Sequence, residues 1–177
     1  MGMRSWSRAV TTALAVGVVA VGGVWAANAN ESSAADEQQS LVEDFGYPDA
    51  ARILAEDNVK LVSGDGHIVY ASCAQQPVNG IGLIEVRSSD FSVGKNDGLV
   101  CFKVLGATGS LVLLIPDVFE IRGDGFGSTP GHKGTAEVKA QSGEARTVAL
   151  NPNGSQQVGI GRPNGAPETL VKLEVKP

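Results

Sequence analysis

From residue 59 to the C-terminus, hydrophobic positions recur in short runs separated by Gly, Asn, Asp and Pro, and no stretch carries a sustained helical repeat. The period of two is clearest in the last third. Ala136, Val138 and Ala140 alternate with Glu137 and Lys139, Val148 and Leu150 sit either side of Ala149, and Val171, Leu173 and Val175 alternate with Lys172, Glu174 and Lys176. Successive strand side chains point to opposite faces, so this is the pattern of half-buried antiparallel strands. Residues 110–115 are apolar on both parities, which predicts a central strand covered on both faces. Pro116 ends it, because proline cannot donate to a ladder. Residues 59–62 and 67–73 flank Gly64-Asp65-Gly66, a tight hairpin signature, and 81–87 and 99–105 flank the turn 94–98. Residues 118–122 run into a further turn, Gly123-Asp124-Gly125. About eight to ten short strands of this kind predict an all-β chain, an antiparallel β-sandwich or an open barrel.

One short helix precedes the strands. Pro48 suits a first helical position and Asp49 a first turn, where negative charge meets the helix dipole favourably. Ala50, Ile53 and Leu54 make a narrow apolar stripe, and Glu56, Asp57 and Asn58 end the run. About two to three turns can lid a core but not stand alone.

The N-terminal region follows a different pattern. Arg4 and Arg8 precede an uncharged run, residues 9–27, which ends at Ala27-Asn28-Ala29. A basic start, an apolar stretch and a small-x-small site form a secretory signal over residues 1–29, removed after Ala29. The alternative is a retained membrane anchor, since the run approaches bilayer-spanning length. Residues 30–44 are acidic and polar, too poor in apolar side chains to offset ordering entropy, and read as a disordered leader. Residues 45–177 then form a single β domain. No membrane association is expected once the signal is removed.

Composition narrows the function. The 177 residues carry a formal charge of −5, with no basic stripe for nucleic acid. Cys73 and Cys101 are the only cysteines, and in an exported chain they are expected to pair as a disulfide. No nucleophile elbow, zinc-protease helix, phosphate loop or dinucleotide fingerprint is present, so no catalytic residue and no metal ligand is assigned. His67 and His132 are the only histidines; His132 reads as an exposed loop residue without a partner. Asp65, Asp97 and Asp124 each precede a glycine. That dipeptide is the favoured hairpin turn, and calcium becomes a candidate cofactor only where two such turns meet. Arg122-Gly123-Asp124 spells an adhesion tripeptide, which the turn already explains. Glu85, Glu120 and Glu137 lie in expected strands, and solvated strand faces account for them unless two share a cleft.

Five segments carry a resemblance: Phe45-Gly46-Tyr47-Pro48, Ala50-Ala51-Arg52-Ile53, Gly64-Asp65-Gly66-His67-Ile68, Val100-Cys101-Phe102 and Leu114-Ile115-Pro116-Asp117-Val118-Phe119. In this order they resemble small secreted actinobacterial proteins of unknown function, across residues 45–177. The resemblance implies export and an extracellular domain, and it assigns no catalytic residue.

These observations favour a non-catalytic binding or interaction module acting at the cell envelope or in the medium, its partner an envelope component or an extracellular protein. Recognition is expected on loops held by a rigid scaffold, here residues 75–80 and 123–133, with Gln75, Asn79, Asp124, Phe126, His132 and Lys133 as candidate contacts. One alternative is an inhibitor of a secreted protease that presents residues 129–133. Another is a glycoside hydrolase-like enzyme in which Glu85 pairs with Glu120 or Glu137.

Overall fold

A computed structural model describes residues 46–177; the signal and leader expectations fall on residues outside it. The short helix α1 spans Ala50–Asp57, two residues later than Pro48 suggests. Asp49, at the N-cap, takes a left-handed backbone (φ 57°) and makes no side-chain cap bond. Ile53 is buried against the sandwich and Ala50 packs beside it, whereas Leu54 is exposed. Among the described residues no helix is long and apolar enough to cross a membrane.

Ten strands follow: β1 Lys60–Gly64, β2 Ile68–Ala71, β3 Ile84–Ser88, β4 Leu99–Val104, β5 Gly109–Ile115, β6 Val118–Arg122, β7 Lys133–Ala140, β8 Ala145–Ala149, β9 Ser155–Gln157 and β10 Glu168–Lys176. They form two five-stranded antiparallel sheets, in the orders β1-β5-β10-β7-β8 and β2-β4-β3-β6-β9. The architecture is a sandwich, not a closed barrel. Ile84, Val86, Val100, Phe102 and Ile121 from one sheet, and Leu111, Leu113, Ala136, Val138, Leu170 and Leu173 from the other, share one buried core.

The chain changes sheet at most of its turns, and this corrects several expectations. Gly64-Asp65-Gly66 is not a hairpin: β1 pairs with β5 and β2 with β4. Asp65 fixes this crossover by accepting hydrogen bonds from the backbone N–H groups of His67 (3.0 Å) and Ser110 (2.9 Å). Partial burial would raise its carboxyl pKa, but these donors more than offset that and hold it below the ordinary value. Pro116 likewise marks a change of sheet, between β5 and β6, with Asp117 left-handed at φ 50°. One expected connection does hold as a hairpin, β3–β4, and β7 and β8 form a second.

Strand β5 is covered on one face only. Leu111, Leu113 and Ile115 are buried, while Val112 is half-buried and Leu114 exposed. In β10 a register shift between Leu170 and Lys172 inverts the parity. Leu173 and Val175 point inward as expected, but before the bulge the buried positions are Glu168 and Leu170, and Val171 is only partly covered.

Cys73 and Cys101 form a disulfide, with Cα atoms 5.3 Å apart. It belongs to a small satellite cluster with Ala71, Leu83 and Leu99, separate from the main core.

Candidate functional site

The segments 75–83 and 123–132 run side by side at one end of the second sheet. Their backbones are bonded directly: Gly82 N donates to Asp124 O (2.6 Å), Phe126 N to Gly80 O (3.0 Å), and Ile81 bridges to Gly125. Within the first segment Val78 and Ile81 exchange both backbone bonds, at 2.8 and 3.0 Å. The second segment rests on residues 151–154, through Gly125 N to Pro152 O (2.9 Å) and Gly131 N to Asn153 Oδ1 (3.0 Å). A Cβ added at Gly125 or Gly131 would collide with the carbonyl of Pro152. These glycines permit close backbone contact, so the loop is braced along its length.

Asp124 is the anchor of that brace, and its environment overturns two expectations. It is not a turn-tip residue: it is 1% exposed. Its Oδ1 accepts the backbone N–H of His132 at 2.8 Å, and its Oδ2 lies 2.7 Å from His132 Nδ1. A carboxylate can only accept, so Nδ1 carries the proton. His132 therefore has a buried acidic partner, and its ring is three-quarters covered. The adhesion tripeptide is also unavailable as such, because Asp124 is buried and Arg122 is paired with Glu85 at 3.2 Å.

His132 forms part of an open groove of about 500 Å3, where the segment 78–82 leaves the sheet and diverges from residues 103–107. Strand β3 pairs with β4 only as far as Ile84 and Phe102. Beyond that point Ile81 turns to Gly125, and the two chains separate. Val78 and Leu105 stand on this groove at 59% and 57% exposure. Phe126, 53% exposed, lies on the other side of the same segment, beside a smaller cleft of about 170 Å3 that also involves Gln75, Glu85 and Arg122.

Of the six sequence-level candidates, Gln75, Asn79, Phe126 and His132 are brought to this end of the sheet. Asn79 is left-handed at φ 53° and lines the groove. Asp124 serves from beneath. Lys133 belongs elsewhere: it is the first residue of β7, paired with Lys176 in the other sheet.

The acidic residues divide similarly. Glu85 and Glu120 lie on neighbouring strands, and Arg87 reaches both, at 3.3 and 3.5 Å. Glu120 also accepts bonds from Ser155 (3.0 Å) and Gln157 (2.8 Å). They belong to a charge-paired ladder across the outer face of the sheet, and Glu137 is on the opposite sheet. Among the described residues no group of three or more His, Cys, Asp or Glu side chains is placed to hold a metal ion.

Two buried acids escaped the sequence reading. Glu168 accepts from Arg146 Nε (2.8 Å) and NH2 (2.6 Å), from Gly159 N (2.7 Å) and from Arg162 NH2 (3.3 Å). The Arg146 bonds, with help from Gly159 and Arg162, hold its carboxyl below the ordinary range against the effect of burial. Asp57 accepts the Tyr70 hydroxyl at 2.8 Å, with Lys95 Nζ 3.5 Å away. Both clusters join distant segments and lie away from the loop end. For Glu168 the parity shift in β10 hid the signal. For Asp57 its position at the end of a helix read as a stop.

No protein-family model matches the chain, and no curated protein is similar to it.

Proposed function

We propose that the chain is an exported interaction module that recognises a cell-envelope component or an extracellular protein through the paired loops 75–83 and 123–132. One observation carries this reading. Val78, Leu105 and Phe126 are all more than half exposed at one end of the sheet, on or beside segments that direct backbone bonds hold together. Large apolar side chains clustered on the surface of a monomer are a mark of interaction sites, and a braced loop loses little conformational entropy on binding. Export is supported by the basic, apolar and Ala27-Asn28-Ala29 sequence of the N-terminus and by the disulfide, which suits an oxidising compartment. The resemblance to small secreted actinobacterial proteins agrees with that compartment.

Sedimentation with isolated cell envelopes, with and without calcium, tests the reading. Depletion of the protein from the supernatant supports an envelope-binding module, and a calcium requirement would bring the Asp-Gly turns into the binding chemistry. Retention in the supernatant under both conditions contradicts the envelope form of the reading.

A further inference from the structure

We infer that the groove between residues 78–82 and 103–107 binds a small amphiphilic carboxylate, its acid group held by Lys103 and His132 and its aliphatic body against Val78, Ile81 and Leu105. This rests on the reading of the same loop end as a binding surface and narrows it to a ligand class. Three observations carry it. The groove, at about 500 Å3, has the size of a small-molecule site. Its apolar part includes Val78 and Leu105, exposed side chains that a ligand's hydrocarbon would cover. Among the described residues Lys103 and His132 are the only ionisable side chains that line it, with the buried Asp124 behind the His132 ring.

Charge sets the preference for an anion. The chain as a whole is at −5, yet this concavity offers a lysine that, like Lys60, Lys133 and Lys139, has no ion-pair partner among the described residues, whereas Arg52, Arg87, Arg122, Arg146 and Arg162 and Lys95, Lys172 and Lys176 are all paired. His132 contributes directionality. Asp124 engages Nδ1 and the His132 backbone N–H, so the ring is fixed in orientation; a carboxylate ligand can only accept, so the form that holds it is the imidazolium, whose Nε2–H is the remaining donor. An orienting carboxylate behind an imidazole is a common way to present the second ring nitrogen at a defined position.

The test uses octanoate and octanol, which have eight carbons each and differ at the head group, titrated into the 15N-labelled full chain. Octanoate is expected to shift the amides of Val78, Lys103, Leu105 and His132, and to bind at least about tenfold more tightly there than octanol, a preference of about 1.4 kcal/mol. Lys103→Gln, a partly exposed change, is expected to weaken octanoate about tenfold and leave octanol unaltered. His132→Gln should weaken octanoate as well. Equal affinity for the two probes, shifts confined to other residues, no shift at millimolar octanoate, or an unaltered Lys103→Gln variant would each overturn the inference. Envelope sedimentation separates the two proposals. Octanoate binding without envelope depletion removes the envelope reading alone, and depletion without octanoate binding removes the ligand class alone.

Discussion

Replacing Asp124 distinguishes its hydrogen bonds from its charge. In Asp124→Ala, the backbone N–H and ring Nδ1–H of His132 both lose an acceptor, at sites now 2.8 and 2.7 Å from the carboxylate. Bonds to a charged partner contribute about 1.5–3 kcal/mol each. The His132 ring keeps a quarter of its surface in water, so the lower part of that range applies and the loss is about 3 kcal/mol. For a domain of this size that corresponds to a fall in Tm of roughly 10 °C. Asp124→Asn behaves differently. The amide oxygen accepts the His132 backbone N–H, and the amide NH2 donates to Nδ1 once the ring adopts the other tautomer. Both bonds survive, and the cost falls to about 1 kcal/mol. Denaturant unfolding measures the two losses, and 15N shifts of the His132 ring report the tautomer. A loss below about 0.5 kcal/mol for Asp124→Ala, or an unchanged tautomer in Asp124→Asn, would refute this account of the loop.

Three further outcomes follow from the remaining contacts. Glu168→Gln is expected to cost about 2–4 kcal/mol at neutral pH, because it leaves Arg146 and Arg162 without their buried carboxylate. The folded pKa of Glu168 is depressed, so its contribution is present above the ordinary carboxylate range and lost as pH falls through the folded value. Urea unfolding across an acid series should therefore show wild type and Glu168→Gln converging at low pH. The Tyr70 hydroxyl, raised above its ordinary value of 10.0 by burial and by its bond to Asp57, should stay protonated as pH passes 10.0, and its contribution to stability should decline from there upward. Ultraviolet titration checks this, and Tyr70→Phe should remove the component while costing about 1 kcal/mol. Replacing Cys73 and Cys101 together with serine opens a loop of 28 residues and should cost about 3 kcal/mol in the chain-entropy account, read as a lower denaturation midpoint.

What could be read from the sequence was whatever depends on neighbours along the chain. The alternation at 136–140 and 148–150 located β7 and β8 and their buried faces, because a strand with one face in water must alternate. Pairing two cysteines required only a count and a compartment. What depended on crossing the sandwich was hidden. Gly64-Asp65-Gly66 has the composition of a hairpin, yet its Asp reaches Ser110 on β5, a partner no local pattern contains. Apolar residues at both parities of 110–115 suggested two covered faces, but Leu114 stays exposed. One bulge in β10 changed which residues point inward and concealed Glu168. At the candidate site, the two loops were anticipated and the Asp124–His132 pair was not. The signal for it lay in the glycines of 123–131: Gly123, Gly125 and Gly131 all have negative φ, and a Cβ at any of them would strike neighbouring backbone. Glycines that allow close approach indicate a packed loop, whereas a turn reading treats them as flexible punctuation.

The claim that these loops form the recognition surface is tested most directly by comparing surface variants in envelope sedimentation. Val78→Ser and Phe126→Ser combined remove exposed apolar side chains from the loop end, and Phe91→Ser removes a more exposed one, at 72%, from the connection between β3 and β4. None of the three is buried in the core, so all variants should unfold at the wild-type midpoint. The account predicts that the loop variant loses depletion by about tenfold or more, the effect of about 1.4 kcal/mol, while Phe91→Ser sediments as wild type. Equal depletion of the loop variant and wild type, or a loss shared by Phe91→Ser, would contradict it.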